Sequence, residues 1–181
     1  MRMFLTMIAV AVFAGPMLAA DTKVALTGEN TKITFTGTKN GGKKAGDKHE
    51  GGFKTLKGAA VVEGDELKKI EVVIETDSLY ADNNMLAGHL KSPDFFGVKN
   101  NPTAKFSTTK IEKGDKGYTL TGDLTLLGKT KSLTFPATVS FKDGTLKLTA
   151  EVTISQTDYG MTYGAGKLDD EVAIKVALEA K

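Results

Sequence analysis

From Thr31 onward the apolar residues recur at every second position rather than at the 3.6-residue spacing of a helix. Ile33, Phe35 and Gly37 share one face, and Leu56, Gly58, Ala60 and Val62 share another. Ile70, Val72 and Ile74 follow, then Ala104 and Phe106. Tyr118, Leu120, Leu124 and Leu126 alternate with Thr119, Thr121, Asp123 and Thr125, and the runs Leu133–Phe141, Leu146–Ile154 and Val172–Leu178 repeat the pattern. Half-buried antiparallel strands produce this alternation, with one face dry and the other wet. Gly114-Asp115, Gly128-Lys129 and Asp143-Gly144 fall between the runs, where tight hairpins want Gly or Asp-Gly. The runs predict an all-β fold, an antiparallel up-and-down barrel of about eight strands ordered mainly as a meander, since closure removes the exposed edges of an open sheet. A two-sheet sandwich satisfies the same alternation.

The segment Asp77–Asn101 breaks the period. Asp82 is a candidate helix cap, Asn83–Lys91 is weakly helical, and Ser92-Pro93 reads as a second helix start, Ser capping and Pro tolerating the first helical position. One or two short helices are expected here, lying across a barrel end. Phe95 and Phe96 are costly to leave in water, at about 2 kcal/mol each, and should turn inward. A second irregular stretch, Tyr159–Asp170, carries Gly160, Gly164 and Gly166 and reads as a flexible rim loop.

Met1–Ala20 does not belong to the fold. Arg2 gives a positive start, Met3–Phe13 are apolar, Gly15-Pro16 breaks the run, and Ala19-Ala20 offers small residues for cleavage before Asp21. That is the layout of a secretory signal peptide, too short for a comfortable membrane span, and the alternative is an uncleaved anchor. The chain has no cysteine, so there is neither lipobox nor disulfide framework, and a periplasmic location is expected. Residues 21–181 suit one domain, one that buries roughly 70% of its unfolded surface. Removing Arg2 from the 24 basic side chains leaves 23 against 22 acidic ones, a balance that gives no reason to propose nucleic acid.

Few motifs carry chemistry. Gly37-Thr38-Lys39-Asn40-Gly41-Gly42-Lys43 has phosphate-loop spacing, but Lys44 stands where Ser or Thr should bind magnesium, and Gly46, Gly51 and Gly52 exclude a following helix. Lys43, Lys44 and Lys48 read as a solvated face, with contact to an anionic headgroup as the alternative. His49 and His89 lack metal-ligand spacing, and no nucleophile elbow is present, so hydrogen-bonding histidines and no cofactor are expected. The phenylalanines are either a filled core or the lining of a cavity, because about eight strands can close on side chains or hold a small ligand. The small inward candidates Gly37, Gly58, Ala60, Ala104, Ala137 and Ala150 favour the cavity. The residues expected to line it are Phe35, Phe53, Phe95, Phe96, Phe106, Leu124, Phe135, Phe141 and Tyr159.

Several segments converge on one resemblance. His49-Glu50-Gly51-Gly52-Phe53, then His89-Leu90-Lys91-Ser92-Pro93-Asp94-Phe95-Phe96, then Pro102 and Phe106 come in order. Gly122-Asp123-Leu124-Thr125-Leu126 with Gly128, Thr130 and Lys131 follows, and Asp158-Tyr159-Gly160-Met161 precedes Asp170-Glu171-Val172. Together they resemble the YceI family of polyisoprenoid-binding, lipocalin-like secreted proteins. Gly97 and Gln156 depart from the family pattern, where an acidic and a basic residue respectively are frequent. The resemblance implies an elongated barrel taking up a long isoprenoid, such as an isoprenoid quinone, or another amphipathic lipid, with transient membrane contact and a homodimer among its expected partners. An enzyme acting on such a lipid through His49, His89 or Asp158, and a packed barrel serving protein contacts, are the competing readings.

Overall fold

The computed structural model describes residues 21–41, 45–115 and 117–181. The expected signal segment Met1–Ala20 and the loop lysines Lys43 and Lys44 lie outside the described residues. Among the described residues eleven strands form a single sheet. They are β1 (Asp21–Thr27), β2 (Thr31–Thr38), β3 (Lys48–Phe53), β4 (Leu56–Glu63), β5 (Glu66–Glu75) and β6 (Leu79–Ala81). The helix α1 (Asn84–Lys91) separates these from β7 (Thr103–Gly114), β8 (Gly117–Leu126), β9 (Lys129–Lys142), β10 (Thr145–Ser155) and β11 (Glu171–Ala180). The order across the sheet is β1-β4-β5-β7-β8-β9-β10-β11-β2-β3-β6, and each of these pairings is antiparallel. β5 approaches β9, and β1 approaches β11, although neither pair shares a ladder. The sheet therefore curls into a half-barrel around one apolar face, and the two-sheet sandwich is excluded.

The strand count of about eight is corrected to eleven. The three unforeseen strands are those whose side chains give no periodic signal. β1 offers only Val24 and Leu26 as buried apolar positions, and β6 is three residues long. β3 contains Gly51-Gly52 because rings cover it on both faces. A Cβ on Gly51 would lie 2.4 Å from the Phe35 ring, and one on Gly52 would lie 2.7 Å from the Tyr80 hydroxyl. Glycine under an aromatic ring lets the ring lie flat on the strand, and β7 and β8 repeat the device with Phe106 over Gly122.

The hairpin punctuation shifts by one residue in two cases, since Gly114 pairs with Gly117 and already belongs to β7. Leu127 and Gly128, with φ of 51° and 73°, make the two-residue turn between β8 and β9, so Lys129 already belongs to β9. Asp143-Gly144, with φ of 51° and 74°, makes the equivalent turn before β10. Positive φ at both central residues gives the turn whose twist matches a right-twisted hairpin.

The interior is filled unevenly. At the end of the barrel holding the β8 start, the β10 start and the β11 end, Leu26, Leu120, Leu146 and Leu148 are fully buried. At the opposite end the inward positions of β2 and β11, Phe35 and Ile174 among them, are only half-buried. The small inward residues divide accordingly. Gly37 and Ala104 border open volume, whereas Gly58 does not, because a Cβ there would lie 2.1 Å from the Glu71 carbonyl oxygen.

The two glycines should thus respond differently to a methyl group. Gly58→Ala meets backbone that cannot rotate away and should cost about 1–3 kcal/mol. Gly37→Ala meets nothing within 4 Å and should stay within about 0.5 kcal/mol of the wild type. Urea midpoints at unchanged slope read both, and equal midpoints would contradict this account of the two sites.

Candidate functional site

The hollow end of the barrel holds a cavity of about 900 Å³. Its walls come from inward residues near the ends of seven strands: Phe35 and Gly37 (β2), Phe53 (β3), Ile74 (β5), Ala104 (β7), Leu124 and Leu126 (β8), Ile154 (β10), and Val172 and Ile174 (β11). Its cover is α1 on one side and the Tyr159–Asp170 loop on the other, which contribute Met85, Leu86, Leu90, Met161, Tyr163 and Leu168. The wall is thus almost wholly aliphatic and aromatic, and the polar groups Lys39, His49, Glu50, His89, Lys167 and Asp169 sit among the residues of the same opening.

The cover follows from local sequence. Asn83, not the expected Asp82, caps α1, its Oδ1 accepting from the Leu86 N–H at 2.8 Å. Asp82 is displaced from that role because its side chain turns to His49, with Oδ2 and Nδ1 2.8 Å apart. Ser92 begins no second helix. It ends α1 in an extended conformation, and its carbonyl accepts from the Phe95 N–H at 3.1 Å and the Gly97 N–H at 2.8 Å. The Phe96 N–H reaches back to the Leu90 carbonyl at 3.0 Å. These bonds wind the chain into a tight turn that tucks both phenylalanines under the helix, as expected, leaving them 5% and 8% exposed. Asn101 fixes the turn from the far side, donating to the Phe96 carbonyl at 3.2 Å, and the buried Thr76 hydroxyl donates to the Asn101 carbonyl at 2.6 Å.

The two phenylalanines serve different clusters. Phe96 packs on Phe53 and Phe35, with ring centroids 5.6 and 6.3 Å away, deep in the wall. Phe95 packs edge-on to His89 and Tyr163 at 5.1 and 5.4 Å, tying α1 to the opposite loop. That loop, expected to be flexible, is bonded to the end of β2: the Asn40 N–H donates to the Lys167 carbonyl at 2.8 Å and the Asp169 N–H to the Thr38 carbonyl at 2.9 Å.

Of the nine residues expected to line a pocket, Phe35, Phe53, Phe95, Phe96 and Leu124 border the cavity. Phe106 and Phe135 lie against one another just beyond it, with centroids 5.8 Å apart. Phe141 lies at the other end of β9, paired with Leu146. Tyr159 is 2% exposed in the turn after β10, and its hydroxyl is buried with no partner. Burial, and then the neighbouring Asp158 charge, push its phenol above the ordinary range. Met85, Leu86 and Leu90 went unnoticed in the sequence, although their spacing is that of one helix face. Met161, Tyr163 and Leu168 were hidden among glycines.

Both histidines are hydrogen-bonded to aspartates, His89 Nε2 lying 3.0 Å from Asp94 Oδ2. Asp158 faces away from the cavity toward Lys131, 3.3 Å off. Among the described residues no three His, Cys, Asp or Glu side chains gather as metal ligands. The His49 bond, reinforced by its charge and by the backbone N–H groups of Asn83 and Glu50, holds the Asp82 carboxyl below its usual range against a smaller desolvation effect.

A family model described as YceI-like domain matches residues 25–180. A UPF0312 protein of Serratia proteamaculans strain 568 is 31% identical over 177 residues, covering 92% of this chain and 88% of its own length. The crystal structure of Burkholderia cenocepacia BcnA superposes with a TM-score of 0.72 at 24% identity, covering 83% of this chain and 96% of that one. A polyisoprenoid-binding domain from Saccharophagus degradans, implicated in plant cell wall breakdown, gives a TM-score of 0.66 at 14% identity, covering 91% and 98%. The last two are likenesses of fold.

The Asp82 pair joins the first turn of α1 to β3, and its pH dependence has a definite sign. A carboxyl that titrates lower when folded adds stability that is complete above its unfolded value, near pH 4, and is lost as the pH falls through the folded value. Amide protection in α1 should therefore drop below about pH 4, and Asp82→Asn should show the lowered protection already at pH 6. Protection unchanged in that variant would mean the pair does not hold the helix.

Proposed function

The chain belongs to the YceI-like family, and on that premise we propose that it binds and carries a long-chain isoprenoid, such as an isoprenoid quinone, or a similar amphipathic lipid. The observation that supports this most is the apolar cavity of about 900 Å³ beneath α1, which a packed barrel would not contain. Phe35, Phe53, Phe95, Phe96 and Leu124 contact the hydrocarbon, and the polar rim meets the headgroup. The Saccharophagus degradans domain, a polyisoprenoid-binding fold of the same shape, points the same way. At about 30 Å³ per heavy atom, the share of one molecule in liquid water, the cavity takes about thirty carbons. At roughly 0.3 kcal/mol per atom that is about −9 kcal/mol, an affinity between micromolar and nanomolar.

The paired histidines at the opening are the features an enzyme would use, yet the wall they adjoin is almost wholly hydrocarbon. Binding without turnover is the reading they favour.

In this reading the first twenty residues are a cleaved signal and the domain works in the periplasm. Native mass spectrometry of the purified protein, followed by organic extraction, reads the N-terminus and the cargo together. A mass beginning at Asp21 with one isoprenoid lipid per chain is expected, and Phe95→Ser with Phe96→Ser should abolish lipid retention in a folded protein. A protein that remains unliganded after incubation with polyprenols and isoprenoid quinones would overturn the proposal.

Loading from a bilayer belongs to the same picture. Among the described residues Met85 and Tyr163, 86% and 49% exposed, are the large hydrophobic residues left open to solvent, and both border the opening. Met85→Ser with Tyr163→Ser should lower the fraction floating with phosphatidylcholine vesicles several-fold, whereas equal flotation would remove membrane contact from this face.

A further inference from the structure

The cavity ends where two rings meet. Ala104 and Leu124 border it, and Phe106 is both the next inward residue on β7 and the direct cross-strand partner of Leu124. The Phe106 ring lies over Gly122 and against Phe135. Phe106 remains half-buried although it points inward. Beyond this pair Leu120, opposite Phe135 in the ladder, is 1% exposed and Leu146 is fully buried, while Ala150, Val152 and Val176 on the facing strands stay half-buried.

We propose that Phe106 and Phe135 form the floor of the cavity and set the length of isoprenoid chain that the protein accepts. This rests on the isoprenoid-binding reading and adds to it a property of two residues that stand directly behind Ala104 and Leu124, where the open volume ends. The physical basis is volume. A chain that reaches the floor can lengthen only by displacing a ring from a close-packed contact or by leaving carbons in water at the opening. Relative to the bilayer from which the lipid is drawn, each methylene left in water costs about 0.8 kcal/mol, so the accepted length has a sharp upper edge. The volume of about 900 Å³, at about 30 Å³ per carbon, places that edge near six isoprene units.

One phenyl ring carries about as many carbons as one isoprene unit, which fixes the size of the expected effect. Removing the Phe106 ring should raise the longest retained chain by about one unit, and removing both rings by about two, at about 30 Å³ per carbon. Adding a ring at Ala104, inside the cavity wall, should lower it by about one by the same volume argument.

The test is a competition among all-trans polyprenols of three to ten units, offered as an equimolar mixture in phosphatidylcholine vesicles to the mature protein and read by native mass spectrometry after the vesicles are removed. Wild type, Phe106→Ala, Phe106→Ala with Phe135→Ala, and Ala104→Phe are compared. Opposite shifts of the distribution in the floor variants and in Ala104→Phe establish the gauge, and Phe106→Leu, which removes part of the ring volume and keeps an apolar side chain, decides it if the alanine variants fail to fold. Superposable distributions in wild type and variants overturn the gauge while leaving lipid binding intact. A wild-type protein that retains no member of the series overturns the binding reading itself, and the gauge with it.

Discussion

A sheet curled around an apolar face must keep water out at both of its ends, and this chain meets that requirement in two different ways. One end is closed by side chains from the strands, with Leu26, Leu120 and Leu146 packed to near-zero exposure. The other is covered by elements added to the sheet, α1 and the loop following β10, and the strands beneath them carry small or flattened residues. Phe35 over Gly51 and Phe106 over Gly122 press aromatic area against the wall instead of projecting it across the barrel. Hydrophobic surface and open volume therefore coexist in one interior, a combination that close packing ordinarily forbids.

The cover is held by polar contacts at its edges more than by burial of its own. No residue of α1 is fully buried, and its eight residues are too few for a helix to persist in isolation. Its first turn is capped by Asn83 and adjoins the His49–Asp82 bond, and its last turn contacts the loop through His89 and Tyr163. His89 and Lys91 also stand at the helix C-terminus, where positive charge favours the dipole. Leu86 and Leu90 turn toward the cavity, so an apolar guest would supply the packing the helix lacks.

The fold class was legible because period-two alternation is a property of backbone geometry, and β2, β4, β5 and β7–β11 each show it. β3 was illegible for a physical reason: its contribution is to be bare, so that Phe35 and Tyr80 can cover it, and a bare strand has no pattern. The double phenylalanine announced the site because hydrophobic residues in a polar connection need a destination. Its exact setting was not readable, since Ser92 before Pro93 has the chemistry of a helix start and only the carbonyl bonds to Phe95 and Gly97 show that it ends one. Phe106 and Phe135 looked like lining because they share the inward parity of Ala104 and Leu124. Parity assigns a face but not a depth along the barrel, and depth decides whether a ring borders the cavity or closes it.

The strand order has a consequence for how the molecule comes into being. Among the described residues β2, β3 and β6 join the rest of the sheet only through β11. Their ladder partner lies far from them in sequence, and until β11 is in place the hairpin of β2 and β3 has no neighbour on that side. Sheet closure is a long-range event, and pairings so distant in sequence form slowly. The two halves of the sheet are therefore joined by one of its most long-range pairings. Loss of β11 would sever the sheet in two instead of merely shortening it.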